Sequence, residues 1–571
     1  MRGILRQLWR YRLWLLAGVL ALFIVDAAQL VSPLIVRAAV DDLVLGLEAN
    51  LPRYALYLVG IAGAVLVFRF LWRLFLFGAG RRIERDLRAR LYGHLLTLSP
   101  SFYALHPTGD LMAHATNDLE AVRRACGMGV LLGADTVIMT SFALLAMVSI
   151  SPRLTLQAFV PLPLITLVVL GFGRLIHRRF ERVQESFAHL TERVREAVSG
   201  IRILRAFARE EGMGRAFEGD NRKFVQLNMA LVRVWGVFRP LIGLLAGLGT
   251  GIVLWFGGRG VLTGGLSLGD FVAFTSYLGM LIWPMMALGW VVNLLQRGAA
   301  SMDRIQKLLA AKPEIKSPSS PKPFPASRRI EFRRLTFAYP GEDRPALRDV
   351  EVIVEEGMTL GVVGLTGSGK STLVRLIPRL YDPPPGTLFL GGVDVRELSL
   401  PKLRSVIGMV PQDVFLFSAT IRENIAFGKP EATDEEVWEA ARLAGLAEEI
   451  ASFPDGLDTM VGERGIALSG GQRQRVGIAR ALILDPPILI LDDALSSVDA
   501  KVEEEILDNL RGVLARRTAI VVAHRISAVR EADWIIVLKD GRILEQGDHR
   551  RLVAQGGLYA RLNELQQALV S

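Results

Sequence analysis

Apolar positions fall into two regimes along this chain: six long blocks before residue 300, then short, strand-sized runs after residue 329. The blocks lie at about 14–38, 54–79, 128–150, 154–176, 236–258 and 268–294. A hydrocarbon layer ~30 Å thick needs about 20 helical residues, so each block is predicted to span a membrane as a helix. Barrel strands are excluded, because the blocks lack short two-residue alternation and an open sheet would leave peptide groups unpaired in lipid.

Basic residues between the blocks set an orientation. The N-terminal tail carries Arg2, Arg6, Arg10 and Arg12, and the second-to-third connection carries Arg81, Arg82, Arg85, Arg88, Arg90, Arg123 and Arg124. The fourth-to-fifth connection is richer still. By contrast, the 39–53 connection holds only Arg53, the Ser151–Pro152–Arg153 turn one arginine, and the 259–267 segment Arg259 alone. Arginine-rich connections stay inside, so both termini are expected in the cytosol, in a multi-pass protein of the cell (inner or plasma) membrane. The first block is longer than a signal-peptide apolar region and lacks a convincing small-residue cleavage site, so it is read as a retained span.

The two basic connections keep apolar residues at helical spacing, as at Leu87, Leu91, Leu95 and Leu98, so the helices are expected to run on into the cytosol. Reversals are expected at His106–Pro107–Thr108–Gly109–Asp110 and at Glu210–Glu211–Gly212–Met213–Gly214, where turn residues cluster. Tips of that kind suit docking to another domain. Pro313, Pro318, Pro321, Pro323 and Pro325, among serines and lysines, mark an extended linker. Beyond it, Val352–Val354, Thr359–Val363, Ser405–Val410, Pro487–Leu491 and Ala519–Val522 read as strands alternating with helices, an α/β pattern. The expected organisation is a transmembrane domain over 1–311 with six spanning helices and long cytosolic extensions, a Pro-rich linker over 312–328, and an α/β domain over 329–571.

Composition narrows the partners. Of 571 residues, 51% are hydrophobic and 22% charged, a mixture that implies segregation and excludes a disordered chain. The single Cys126 excludes an internal disulfide, so the fold must stand by packing. A net charge of +10 would suit a nucleic-acid binder, but the arginines flank apolar blocks and form no stripe interleaved with aromatics. No nucleic-acid partner is therefore expected.

The run Gly364–Leu365–Thr366–Gly367–Ser368–Gly369–Lys370–Ser371 follows the strand Thr359–Val363 and opens a predicted helix, Ser371–Leu380, whose next residue is Thr372. A strand–loop–helix with these residues fits a P-loop. Its glycines let successive N–H groups turn toward a phosphate, Lys370 reaches the outer phosphates, and Ser371 offers its hydroxyl to magnesium. ATP and Mg2+ are the expected cofactors. Further on, Pro487–Leu491 delivers Asp492 and Asp493 at the carboxyl end of an apolar strand, where doubly wound sheets place ligands. Asp492 is expected to hold magnesium through water. The other reading of this pair is a helix N-cap, since aspartate is favoured there.

Leu468–Ser469–Gly470–Gly471–Gln472, followed by Arg473–Gln474–Arg475, together with the P-loop resembles the signature of ATP-binding cassette (ABC) proteins. On that resemblance Tyr339 matches the aromatic that stacks on adenine, and Gln412 the Q-loop glutamine of the catalytic and magnesium set. Thr459 to Gly465 matches an exporter-specific loop, Ser496–Ser497–Val498–Asp499 the D-loop, and His524 the switch histidine. Six spans before the cassette make the chain similar to an exporter half-transporter. The resemblance implies that two cassettes pair head to tail, so that Ser469, Gly470, Gly471 and Gln472 act on ATP held by the partner's P-loop. It also implies an amphipathic cargo (drug, lipid or peptide) moved by alternating access within membrane lipid.

One position departs from the family pattern. Asp493 stands where hydrolytic members carry the glutamate that orients the attacking water. Aspartate is one methylene shorter, which withdraws the carboxylate by roughly 1.5 Å, and a misplacement of about 1 Å costs on the order of 10²-fold in rate. Slow or absent hydrolysis is expected at the site built on this P-loop, with ATP binding retained. An intact signature beside a weakened carboxylate resembles one half of a heterodimeric exporter of the multidrug or antigen-peptide type, whose partner supplies the glutamate for the other site. A homodimer with two slow sites, or an ATP-sensing subunit of another membrane protein, are the alternative readings. Finally, Asp26, Arg69, Arg73 and Asp135 fall within apolar blocks and are expected to face the bundle interior or an interface.

Overall fold

Long apolar helices organise the first of two compact units, which comprises Met1–Leu96 and Thr108–Ala311. The computed structural model describes residues 2–462, 468–496, 498 and 500–570. Helix α1 (Arg2–Arg10) precedes α2 (Arg12–Val44) and α3 (Leu51–Leu95). At 1.5 Å per residue α3 is roughly 68 Å long, about twice a hydrocarbon layer. Leu87 and Leu91 are buried on its distal half, as their helical spacing predicts. Among the described residues five helices are long and apolar enough to cross a membrane: Arg12–Val44, Glu48–Leu95, Thr108–Ile150, Glu210–Leu262 and Leu268–Ala310.

The fourth predicted block behaves differently. It is divided between helices Pro152–Phe159 and Pro161–Ser199, because the two prolines at Pro161 and Pro163 restart the helix. Only Pro161–Gly173 remains apolar ahead of Arg174, which is short for a span. The first expected reversal coincides with a helix break at His106–Pro107, whereas the second falls elsewhere than expected. In the first connection a short helix, α4 (Pro100–Leu105), separates α3 from a helix that begins at Thr108. In the second, the chain turns between the helix Ile201–Ala206 and Glu210. Glu210–Gly214 is the first turn of a long helix, where Glu210 and Glu211 favour the positive N-terminus.

The bundle is closed by its last helix, Leu268–Ala310. Phe274, Tyr277 and Leu281 are fully buried on it, packed with Leu30, Met139, Ala143 and Met147. Its N-terminus is held twice: Ser267 and Asp270 form a capping box, and the Asp41 carboxylate accepts from Gly269 N (2.8 Å) and Ser267 Oγ (2.9 Å). Asp26 is buried and faces the half-buried Asp135 inside the bundle, whereas Arg69, beside both, and Arg73 are exposed.

The second unit joins Thr97–Pro107 to Lys312–Ser571. Within it, α4 is tied to the start of the linker: Ser101 Oγ donates to Glu314, and Ile315 N donates to Ser99 Oγ at 3.1 Å. Ten strands follow. β1 (Ile330–Phe337), β2 (Leu347–Val354), β4 (Leu388–Leu390) and β5 (Val393–Asp394) make an antiparallel sheet in the order β2-β1-β4-β5. β3 (Thr359–Gly364), β6 (Ile407–Val410), β7 (Ile488–Asp492), β8 (Thr518–Val522), β9 (Trp534–Lys539) and β10 (Arg542–Gly547) make the other, in the order β10-β9-β3-β8-β7-β6. Only β10 is antiparallel there. The central strands are apolar throughout because both faces are covered. Leu360, Val362, Ile488, Ile490, Ile520 and Val522 point into the core shared with β1 and β2. Their alternates Val363, Leu489, Leu491 and Val521 enter the core shared with the helices Asp434–Leu443 and Gly470–Leu482.

Candidate functional site

Sheet register gathers the candidate residues on one edge. Val362 pairs with Val522, Val522 with Asp492, and Leu491 with Val410. The residues one or two positions beyond those pairs are Gly364, His524, Asp493 and Gln412, so four separate segments emerge side by side at the carboxyl ends of parallel strands. That is where ligands lie in open α/β sheets.

The loop between β3 and the helix Lys370–Leu376 is shaped by glycines. A Cβ on Gly364 would lie 2.3 Å from Leu538 O, and one on Gly369, whose φ is +100°, would lie 2.6 Å from Ala346 O. Leu538 belongs to β9, and Ala346, directly before β2, is held by its N–H donating to Phe337 O at 2.8 Å, so neither carbonyl yields easily. Lys370 Nζ donates to Gly364 O (2.8 Å) and Leu365 O (3.0 Å). Burial pulls the Lys370 ammonium below its usual range, while the charges of Asp493 and Asp492 oppose that shift. Thr372 Oγ1 and Tyr339 OH are 3.0 Å apart, and Tyr339 packs edge-to-face on Tyr381 at 4.9 Å. Tyr339 is therefore a half-buried ring beside the loop's helix.

Asp492 ends β7 with no exposed surface. Its Oδ1 accepts from Ser371 Oγ at 2.8 Å, while Oδ2 has no hydrogen-bond partner. Arg375 Nε stands 4.0 Å from Oδ2. Burial raises the Asp492 carboxyl above the usual carboxylate range, and the Ser371 hydroxyl partly offsets this. Asp493 is also buried and adopts φ +53°. Its N–H donates to Val522 O (2.9 Å), its carbonyl accepts from Ser496 Oγ (3.0 Å), and its Oδ2 lies 4.0 Å from His524 Nε2. The N-cap reading of this aspartate pair fails: β7 runs through Asp492 and the next helix begins at Ala500. Gln412 is exposed in the loop after β6.

The segment Ser469–Gln472 lies apart from this edge, at the start of the helix Gly470–Leu482. Ser469 Oγ accepts from Gln472 N (3.2 Å) and Gln472 Oε1 accepts from Ser469 N (2.8 Å), a reciprocal capping box. Among the described residues no hydrogen bond or ion pair joins it to the P-loop. Of the exporter-loop residues, Glu463, Arg464 and Gly465 lie outside the described residues, as do Ser497 and Asp499 of the D-loop.

Two contacts were not anticipated. Arg375 sits four residues after Ser371, one helical turn on, and that spacing alone places it over the same carboxylate. Glu449 orients the signature, accepting from Gln472 Nε2 at 2.8 Å and from Arg475 Nη2 at 2.6 Å. It lies 23 residues upstream of Gln472, and no sequence spacing signals the pairing.

The comparisons with known proteins agree with this geometry. Residues 15–285 match the ABC transporter transmembrane region and residues 347–496 the ABC transporter domain. The chain is 40% identical over 576 residues to the probable multidrug resistance ABC transporter ATP-binding/permease protein YheI of Bacillus subtilis (strain 168), covering 99% of this chain and 98% of that protein. It is 39% identical to the multidrug resistance-like ATP-binding protein MdlA of Escherichia coli (strain K12), covering 98% and 95%. With the ATP-dependent lipid A-core flippase of Syntrophus aciditrophicus (strain SB) identity is 36%, covering 93% and 88%. A solved bacterial Atm1-family ABC exporter with ATP bound superposes with a TM-score of 0.79 at 28% identity, covering 97% of this chain and 98% of the other. A membrane region of long apolar helices followed by an ATP-binding α/β cassette, on one chain of this length, makes the protein a member of the ABC transporter family, an exporter-type half-transporter.

Proposed function

We propose that this chain is one subunit of a heterodimeric ABC exporter, carrying a nucleotide site that binds ATP and hydrolyses it slowly. The observation that carries this reading is Asp493: its backbone is pinned at the end of β7 and its short carboxylate stops 4.0 Å from His524. Glutamate would extend one methylene further, toward the space where an attacking water is held. Gly364, Thr366, Gly367, Ser368 and Gly369 then present N–H groups to the phosphates, Lys370 and Thr372 contact them, and Tyr339 stacks on the base. Asp492 and Ser371 fit a divalent cation, because Asp492 Oδ2 is a buried acceptor without a donor; with Gln412 they would hold Mg2+, which when bound neutralises phosphate charge. His524 and Asp493 face the γ-phosphate end.

The capping box keeps Ser469 oriented, and Gly470, Gly471 and Gln472 complete the site on the partner's P-loop, where the partner's own glutamate does the cutting. Six spans, with the fourth formed from the helices flanking Val160, and cytosolic termini fit the arginine distribution. The printed names of its relatives, multidrug resistance and lipid A-core flippase, support an amphipathic drug, lipid or peptide as cargo. ATP-driven closure biases the bundle by the difference in affinity between its states.

The test is to purify the chain through a tag on itself and ask what accompanies it. A second half-transporter in stoichiometric amount, bearing glutamate at the position of Asp493, is the expected result. Brisk ATP turnover by the isolated chain as two identical copies would refute the reading.

A further inference from the structure

Helix α1 is apolar on two sides. Ile4 is buried with Ile83, Leu87, Met302 and Ile305, and Gly3 packs so closely on the last helix that a Cβ would lie 2.4 Å from Gln306 Nε2. Leu5 and Trp9, one turn apart, are by contrast 59% and 70% exposed, and the ridge continues through Leu13, Leu16 and Leu20 of α2. An arginine-bearing helix that turns leucine and tryptophan outward beside a spanning helix is suited to the headgroup layer.

Behind it, an open cleft of ≈ 240 Å³ is lined by α1, α3 and the helix Leu268–Ala310. Its polar lining is Arg6, Gln7, Arg90 and Gln306, over a floor that includes Leu87 and Met302. The lining contains no carboxylate. The surrounding arginines are paired: Arg10 and Arg85 with Asp86 at 3.5 and 2.9 Å, and Arg81 and Arg88 with Glu84 at 3.5 and 2.7 Å. Arg6 and Arg90 have no carboxylate partner among the described residues. Two arginines without a carboxylate partner among the described residues therefore line a cleft many times larger than the ~10–15 Å³ that one water needs.

We propose that this cleft is a binding site for the phosphodiester headgroup of an anionic membrane lipid. The guanidinium forks of Arg6 and Arg90 match phosphate oxygens, the Gln7 and Gln306 carboxamides donate beside them, and Leu87 and Met302 receive the glycerol end. A lipid held there clamps α1 to two long helices of the bundle. The headgroup belongs to the cytosolic leaflet, a placement that rests on the orientation proposed above.

Native mass spectrometry of the full chain with its partner, extracted from bilayers of equal phosphatidylglycerol and phosphatidylcholine, reads the site directly. At about 1 kcal/mol per arginine near an anionic surface, two arginines favour the anionic lipid roughly thirtyfold. Retained phosphatidylglycerol is expected for the wild type and for Arg6→Lys/Arg90→Lys, and near-parity of the two lipids for Arg6→Gln/Arg90→Gln. The ATPase rate of the double glutamine variant serves as its folding control. No preference in the wild type, or an undiminished one in the glutamine variant, would overturn the proposal. Displacement of the lipid by millimolar glycerol 3-phosphate would overturn the lipid assignment in favour of a soluble phosphate ester. Orientation is checked separately with Glu48→Cys and an impermeant maleimide: labelling of intact cells supports it, and labelling only from the cytosolic side refutes it without touching the lipid result.

Discussion

Asp493→Glu is the most informative single change, because the structure isolates its effect in the side chain. The Asp493 backbone is fixed by Val522 O at 2.9 Å and by Ser496, whose N–H and Oγ reach its carbonyl at 3.3 and 3.0 Å. Adding one methylene therefore advances the carboxylate by roughly 1.5 Å without moving the strand. The left-handed backbone at Asp493, φ +53°, suits aspartate better than glutamate, which costs stability on the order of 1 kcal/mol but leaves the geometry of the rate-determining atoms to the side chain. If distance is what limits hydrolysis, recovering it is worth on the order of 10²-fold, or about 2.7 kcal/mol of barrier, at each site that also meets an intact signature. The assay is ATP turnover of the purified complex, with single-turnover measurements to separate chemistry from product release. A homodimer should accelerate by that factor. A heterodimer whose partner already has the glutamate should change less than about twofold in steady state. Loss of turnover on Asp493→Ala in such a complex would refute the assignment of a degenerate site to this chain.

Other substitutions test the same edge and the bundle behind it. Asp492→Asn removes a buried carboxyl whose native ionisation is disfavoured: between the ordinary carboxylate range and the raised native value, the folded state holds the proton more tightly than the unfolded one. Wild-type stability without nucleotide should thus fall as pH rises through that window, and thermal unfolding should show Asp492→Asn gaining on the wild type toward neutral pH while losing stabilisation by Mg-ATP. Gly369→Ala forces a Cβ to within 2.6 Å of Ala346 O at φ +100°; a loss of about 2–3 kcal/mol and of ATP binding is expected by thermal shift and nucleotide titration. Tyr277→Phe deletes the hydroxyl that donates to Leu30 O at 2.7 Å between two spanning helices and should lower the unfolding free energy by about 1–2 kcal/mol, read by thermal unfolding in detergent.

What the sequence discloses differs between the two halves. Local chemistry was readable where the backbone itself dictates residue type: glycines at Gly364 and Gly369 admit no Cβ, and Ile488–Leu491 of β7 and Ala519–Val522 of β8 are continuous apolar runs because both faces are covered. The antiparallel strands β4, β5 and β10 gave no such signal, since they are short or half-exposed and follow turns instead of crossover helices. The second reversal was displaced for a related reason. Gly212 and Gly214 look like a turn, yet in an exposed first helical turn each costs only about 1 kcal/mol, which the 43-residue helix that follows absorbs. In the fourth apolar block hydrophobicity was visible but the weight of Pro161 was not: a proline at the first helical position ends one helix and starts the next. Glu449 shows a third limit. It holds Gln472 and Arg475 across 23 and 26 residues, and only the fold brings it there.

That contact bears on the proposal that a second chain completes the site. A helix start leaves four N–H groups without intrahelical partners. Ser469 Oγ takes the one on Gln472, and Gln472 Oε1, steadied by Glu449, takes the N–H of Ser469 itself. The N–H groups of Gly470 and Gly471 are left pointing out of the helix end, with no side chain of their own to cover them. Such an end attracts an anion, yet the phosphate-binding loop of the same cassette lies on the carboxyl edge of the large sheet, with no hydrogen bond or ion pair among the described residues linking the two. On the proposed reading the anion is therefore the γ-phosphate held by the other cassette. The same logic predicts an asymmetry: Ser469→Arg should block hydrolysis at the partner's site in full, while Lys370→Ala in this chain should weaken ATP binding at its own site and leave most of the turnover. Equal losses from both variants would mean that the two sites share the work and that Asp493 is a competent base after all.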